Sequence, residues 1–200
     1  MGSLKWDLTY ILIGVQMKRK IVLASMLVIC STSAMAAKVG EQGIGIEVGA
    51  LKSNAVSRVN GVESNGDLST TYEALRYGKY YDFGRVGASV GLMNEDKGTD
   101  GKFVALSYDY MFYNDSQIVP FVGAHMGYSW NEANYDIKHD GFVYGIGVGA
   151  VYEVSKEIDL EIGARYSKAN IDGSKVVSGT NVTVEVDSTM QYYVSIGYKF

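Results

Sequence analysis

The segment "QYYVSIGYKF", residues 191–200, alternates between two kinds of residue. In steps of two from its end the residues are large and apolar or aromatic, namely Phe200, Tyr198, Ile196, Val194 and Tyr192. The residues between them are mostly polar or small. A period of two predicts a β-strand with one apolar face. Such a strand offers an unpaired edge as well as an apolar face, so the rest of the chain must cover both.

The same alternation recurs in seven earlier stretches, at 43–51, 71–81, 85–93, 102–112, 120–130, 142–153 and 158–168. With the terminal stretch they make eight predicted strands. The composition agrees, because the chain has 16 Tyr, 24 Gly and only one Pro. Tyrosine favours strands, and proline interrupts their hydrogen-bond ladders. We therefore predict an all-β fold.

The connections between these strands alternate in length. Three short links follow the second, fourth and sixth strands, at 82–84, 114–117 and 155–157. Four longer polar segments, near 52–70, 94–101, 131–141 and 168–185, join the other pairs. Short turns at one end and long loops at the other are typical of a membrane barrel. The prediction is an eight-stranded antiparallel transmembrane up-and-down β-barrel, closed by pairing of the last strand with the first.

The two faces of the strands indicate which side meets lipid. In a soluble sandwich the large apolar residues point into the core and the polar residues face water. Here the face opposite the large apolar residues carries many glycines together with the charges. An eight-stranded barrel is just wide enough for side chains to fill. The inward charges form a predicted lumen charge network of Glu47, Arg76, Asp109, Glu153, Glu161, Arg165 and Lys199. Buried charges must be paired, so we interpret the network as a structural filling, with a narrow ion path as the alternative.

The beginning of the chain has the layout of a secretory signal peptide. Met17 is followed by three basic residues, an apolar run at 21–29, and small residues that include Ala34 and Ala36 of an A-x-A site. This layout predicts a signal helix that is cleaved after Ala36. The predicted organisation is an over-extended start at 1–16, a signal peptide at 17–36 and a barrel domain at 37–200.

Charge and cysteine content exclude two classes of protein. The chain has 18 basic and 22 acidic residues, and removal of residues 1–36 leaves 14 and 21, a net charge of −7. A nucleic-acid-binding protein needs a basic face, so no nucleic acid partner is expected. Cys30, the single cysteine, lies in the segment expected to be removed, which leaves the predicted mature chain without a disulfide.

The candidate catalytic residues are few. His125 and Ser129 are four residues apart on one predicted strand, about 13 Å, which is too far for a nucleophile and its base. A partner on another strand, such as Ser107, stays open. The alternate glycines of 145–150 lack the dinucleotide-binding spacing, and the acidic segment 95–101 lacks the calcium-loop spacing. We therefore predict no enzyme, no cofactor and no metal.

The chain resembles the small outer-membrane β-barrel proteins of Gram-negative bacteria, the group of OmpA-type membrane domains, OmpX-like, opacity-like and porin-family proteins. The signal layout, "PFVGAHMGYSW" (120–130), "DLEIGARYS" (159–167) and "YYVSIGYKF" (192–200) carry this resemblance. It implies a monomer in the outer membrane. It also implies that Phe200, with Tyr198 and Ile196, is the C-terminal signal for the barrel-assembly machinery. Some relatives carry a second domain that binds the cell wall, and since this chain stops at Phe200 we do not expect that domain here.

The expected function is structural or interactive. Loops on a rigid scaffold commonly carry binding, so the four long segments are expected to contact an extracellular ligand or a host surface, with outer-membrane lipid around the barrel. A narrow low-conductance pore is the alternative. A lipid-modifying enzyme is the least favoured reading, because the sequence lacks a nucleophile and base signature.

Overall fold

The computed structural model describes residues 39–59, 62–96, 99–133, 137–177 and 180–200. The predicted signal peptide, its cleavage residues Ala34 and Ala36, and residues 1–16 lie outside the described residues. Eight strands are present in the described part: β1 (Gln42–Val59), β2 (Val62–Tyr81), β3 (Gly84–Asp96), β4 (Thr99–Met111), β5 (Ile118–Ala133), β6 (Ile137–Glu153), β7 (Ile158–Val177) and β8 (Thr180–Lys199).

The strands form a closed antiparallel barrel in chain order, and β8 pairs with β1. At the seam, the backbone N–H of Gln42 donates to the carbonyl of Phe200 (3.1 Å), and the N–H of Phe200 donates to the carbonyl of Gln42 (2.8 Å). Closure leaves the terminal strand without a free edge, so the eight-stranded barrel prediction is confirmed. Among the described residues, no helix has the length and apolarity needed to cross a membrane.

The orientation of the strands agrees with the predicted faces. Along β6, Ile146 and Val148 are 63% and 55% exposed, whereas Val151 and Glu153 are buried. The other strands behave alike, with exposed apolar side chains that include Leu75, Val90, Leu106, Met126, Ile162 and Val194. The barrel thus carries an apolar belt outside, interrupted on β2 by the exposed Glu73 and Lys79, and a set of buried charges inside.

The prediction of four long loops is mostly wrong, because most residues of these segments lie in strands. The segments 52–59 and 62–70 are strand, and β1 and β2 stay paired up to Val59 and Val62. Residues 168–177 and 180–185 likewise belong to β7 and β8, and most described residues of 94–101 and 131–141 also lie in strands. A hairpin that extends beyond the belt has water on its outer face, so that face needs no apolar residues, even where inner residues such as Ala169 and Ile171 are buried. The polar composition of these strand extensions therefore led to the wrong prediction of loops.

The barrel wall is uneven in height. β3 and β4 have 13 residues each, whereas β1, β2, β7 and β8 have 18 to 20. A tilted strand needs about 9 to 11 residues to cross the apolar core of a bilayer, so these four strands extend well past the belt. β2 pairs with β3 only from Tyr72 onward, which leaves 62–71 paired with β1 alone among the described strands.

The inward glycines make room for aromatic rings. Gly49 lies opposite Tyr72, and Gly163 lies opposite Tyr193. An added Cβ at Gly49 would approach Tyr72 Cε1 to 2.6 Å, and one at Gly163 would approach Tyr193 Cζ to 2.5 Å. Neither contact is possible for a real side chain. Each ring therefore covers its cross-strand glycine, which places both hydroxyl groups in the lumen.

Candidate functional site

Glu161 is one centre of the ion pairs in the lumen. Its Oε1 accepts a hydrogen bond from Arg76 Nη1 (2.8 Å) and its Oε2 accepts one from Arg85 Nη1 (2.7 Å). Tyr193 donates its hydroxyl to the same carboxylate (2.8 Å). Arg85 also donates through Nη2 to Asp109 Oδ2 (2.7 Å). Strands β2, β3, β4, β7 and β8 are linked through this one carboxylate and its partners.

Glu47 is the second centre. It is 1% exposed, and its two carboxylate oxygens accept hydrogen bonds from Nη1 and Nη2 of Arg165, at 2.7 Å and 2.9 Å. Tyr72 donates its hydroxyl to Glu47 Oε1 (2.7 Å), and Arg76 Nη1 lies 3.2 Å from Glu47 Oε2. Since Arg76 contacts both carboxylates, the two centres form one continuous cluster. We call it the central network: Glu47, Arg76, Arg85, Asp109, Glu161 and Arg165.

The central network is electrically balanced, with three carboxylates and three guanidinium groups. Fork-shaped guanidinium groups are suited to this arrangement because they form paired, charge-assisted hydrogen bonds with carboxylates. The guanidinium carbon of Arg165 also lies 3.9 Å from the centre of the Tyr193 ring, a cation–π contact. The pairing offsets the cost of removing six charges from water.

Two of the seven predicted residues lie outside the central network. Lys199 and Glu153 are both buried and pair with each other (Nζ to Oε1, 3.0 Å). The other five, Glu47, Arg76, Asp109, Glu161 and Arg165, belong to the central network. Sequence reasoning missed Arg85, which joins Glu161 to Asp109. Its parity with Gly87 and Ser89 on the inward face of β3 was the available signal.

His125 has its closest polar contact on a strand that the sequence did not suggest. Its Nε2 lies 2.8 Å from the hydroxyl of Ser167, on β7, whereas Ser129 donates to Asn131 Oδ1 (3.1 Å). The candidate Ser107 faces His125 across the β4–β5 ladder, but the hydrogen bond goes to Ser167. The pair points into the lumen, away from the apolar belt, so its position does not favour a lipid-modifying enzyme. No three His, Cys, Asp or Glu side chains in the described ranges are grouped to hold a metal ion.

The predicted assembly-signal residues lie on the outer face of the last strand. Tyr198 and Phe200 are 50% and 61% exposed, and Ile196 is partly exposed between Ile46 and Leu160 of the neighbouring strands. Such a position is compatible with recognition from outside the barrel. The signal itself stays a prediction.

Comparison with protein-family models and with curated proteins returns no match. Among solved structures, the barrel is similar to Neisserial surface protein A, NspA (TM-score 0.56, 18% identity, 78% of this chain and 97% of that chain). It is also similar to the outer membrane protein OprG of Pseudomonas aeruginosa (0.61, 18%, 82% and 97%) and to the N-terminal β-barrel domain of OprF from the same organism (0.51, 13%, 80% and 99%). The chain therefore has the fold of small eight-stranded outer-membrane β-barrels.

Proposed function

We propose that this chain is an integral outer-membrane protein of a Gram-negative bacterium that displays long β-hairpins at the cell surface. The observation that carries the proposal is the division of faces, with an apolar belt outside and a paired, charged interior. In water this arrangement would be inverted, because apolar side chains are buried away from solvent. The fold shared with NspA, OprG and the OprF barrel domain supports the same conclusion.

Aromatic clusters near the two ends of the belt support a membrane position. Tyr128 packs against Trp130 (4.8 Å between ring centres) and Phe142 (4.9 Å) towards the hairpin end. Tyr110 and Phe112 pack together (5.1 Å) near the short-turn end. Aromatic side chains with a polar group favour the boundary between lipid tails and headgroups. The two clusters therefore correspond to the two aromatic girdles of a membrane barrel.

The open edge of β2 supports a role in interaction. Residues 62–69 have no backbone partner on the β3 side among the described strands, whereas Thr70 and Thr71 are hydrogen-bonded to Asn94 of β3. The edge of the hairpin from 62 to 69 is therefore available for pairing with an extended segment. On the neighbouring strand, Arg58 donates to Glu63 (2.7 Å) and Glu185 (2.8 Å), and these hydrogen bonds raise the pKa of its guanidinium. These contacts tie β1 to both of its neighbours. We infer that the hairpin presents a firm edge to an extracellular ligand or host surface.

Shortening this hairpin is expected to abolish binding. Deleting 55–58 together with 63–66 removes matched residues of β1 and β2, and an even number in each strand preserves the faces. Residues 55–58 also pair with 183–186 of β8, so the β1–β8 wall becomes shorter as well, while the barrel within the apolar belt should stay folded. A non-adhesive Gram-negative strain that expresses the intact chain should adhere to epithelial cells, and the deletion should return adhesion to the empty-vector level. The folded barrel is checked by its gel mobility with and without boiling.

Two results would contradict the interaction proposal. Adhesion by the intact chain at the empty-vector level would remove the support for a host-surface role. Full adhesion by the deletion variant would mean that the β1–β2 hairpin is not the binding element. The Glu63→Gln variant is the matched control, because it changes one contact of Arg58 and leaves the backbone edge in place.

A narrow pore is the second candidate, and the central network bears on it directly. A chain of ion pairs from Asp109 on β4 to Glu47 on β1 crosses the lumen. This arrangement favours a lumen that is blocked to ions. The protein in a planar bilayer is therefore expected to give no reproducible conductance steps. Steps that are present in the intact protein and change with Arg76→Ala would instead support the pore.

A further inference from the structure

The lumen contains a cavity above the central network, towards the hairpin end of the barrel. Its volume is about 100 Å³. Arg76 and Arg165 line one end of it, and Thr70, Asp100 and His139 line the other. The wall between them is mostly apolar and includes Leu51, Phe103, Val143, Ile171 and Val186. A second, smaller space of about 30 Å³ lies among Arg85, Asp159 and Lys199, so the space above the central network is the larger of these two in the described part of the barrel.

The charges beside this cavity do not favour a charged ligand. Both terminal nitrogens of Arg165 donate to Glu47, and Arg76 lies between Glu47 and Glu161. Since the central network sums to zero, a carboxylate or an ammonium group entering beside it would lose its hydration without gaining an opposite charge. The other charge of the lining, Asp100, is exposed to solvent at the far end of the cavity. The chemistry of the site thus selects for neutral molecules.

Several polar side chains line the cavity, and two of them, His125 and Ser167, are hydrogen-bonded to each other. His125 and Ser167 both line the cavity, and their 2.8 Å hydrogen bond brings an imidazole and a hydroxyl group to the same point of its wall. A hydroxyl can donate one hydrogen bond and accept others, so Ser167 can bind a ligand while it stays bonded to His125. A ligand hydroxyl or N–H group reaching this point would be satisfied, and its apolar part would contact Val143, Ile171 and Val186.

We propose that this cavity is a binding site for a small neutral molecule that has one aromatic or short aliphatic body and one hydroxyl or N–H group. An apolar protein cavity of about 150 Å³ takes a benzene-sized molecule, so the volume of about 100 Å³ here limits the ligand to a single ring at most. The proposal goes beyond the hairpin function, because it depends only on the interior of the barrel. Phenol is the simplest probe with the required shape and polarity.

The test is a titration of the full chain in detergent micelles with phenol, followed by NMR of methyl-labelled Val, Leu and Ile residues. The methyl groups of Val143, Ile171 and Val186 should shift and saturate. Those of the outward Ile146 and Val148 should shift only in proportion to added phenol, since they report partition into the micelle. Absence of saturation at the three inward residues would overturn the proposal.

Matched variants separate the cavity from the micelle. Val143→Phe fills the cavity and should weaken phenol binding at least about tenfold, which is 1.4 kcal/mol. Ile146→Phe, on the outer face of the same strand, should leave it unchanged. Ser167→Ala should weaken phenol but not benzene, which has no hydroxyl group. If Val143→Phe does not fold, Ser167→Ala still decides whether the polar pair contributes.

A charged probe tests the ligand class. Benzoate has nearly the shape of phenol but carries a negative charge, so its binding should be at least about tenfold weaker, again 1.4 kcal/mol. Benzoate binding as tight as that of phenol would overturn the assignment to neutral molecules. It would mean that the guanidinium groups of Arg76 and Arg165 are available to a ligand despite their contacts with Glu47 and Glu161.

Discussion

Replacing Val148 by arginine is expected to destabilise the folded barrel in a membrane by about 2 to 4 kcal/mol. Val148 lies on the outer face of β6, between Val122 and Ala164 on the adjacent strands, and is 55% exposed. If this face meets the lipid tails, a guanidinium group here loses its hydration and gains no partner. The change is measured as the free energy of unfolding in urea, with the barrel in lipid vesicles.

The control for this prediction is Val176→Arg. Val176 is 66% exposed on β7, but it lies in the extension of the β7–β8 hairpin, near the end of the strand. The same substitution there should leave stability unchanged, because the new charge stays in water. Equal effects of the two substitutions, or a stable Val148→Arg barrel, would mean that the belt does not face lipid and would contradict the outer-membrane proposal.

The alternation of faces was predictable because a strand has a period of two, which is visible in the sequence wherever one face is apolar. Val148 outside and Glu153 inside follow from it directly. The same reasoning failed in the hairpin extensions, where the outer face is not apolar. Even there a local signal existed, since the Asn60-Gly61 dipeptide between Val59 and Val62 is typical of a two-residue hairpin.

The irregularity in β8 had no such signal. Asn54 pairs with Ser188 and Ala55 with Val186, so Asp187 is an extra residue relative to β1. A bulge of this kind changes which alternate residues point inward. Val186 is therefore buried in the lumen although its parity with Tyr192 and Val194 predicts the outer face. Bulges depend on how two strands meet, which one strand's own sequence does not specify.

The composition of the central network was more predictable than its connections. Inward parity identifies Glu47 and Arg165, but their pairing joins residues 118 positions apart and depends on closure of the barrel. The bond between His125 and Ser167 likewise joins β5 to β7, which are not adjacent in the sheet. Contacts across a lumen follow from barrel diameter and strand stagger, and neither quantity can be obtained from the pattern within a strand.

Replacing Glu161 by glutamine is expected to cost about 3 to 5 kcal/mol of unfolding free energy, the effect of breaking a buried ion pair at one partner. Glu161 is 3% exposed and accepts from Arg76, Arg85 and Tyr193. Glutamine keeps the shape and one acceptor, so the loss reports charge and not packing. The central network would then hold three guanidinium groups against two carboxylates, which leaves one positive charge without its partner.

The matched control is Glu63→Gln, the same substitution in an exposed pair with Arg58 on the β1–β2 hairpin. Solvent already screens that pair, so its removal should not measurably change the urea midpoint. An equally small effect at Glu161 would mean that water reaches the central network and replaces the lost charge. A hydrated network would no longer close the lumen. This result would favour the narrow pore over a lumen filled by side chains.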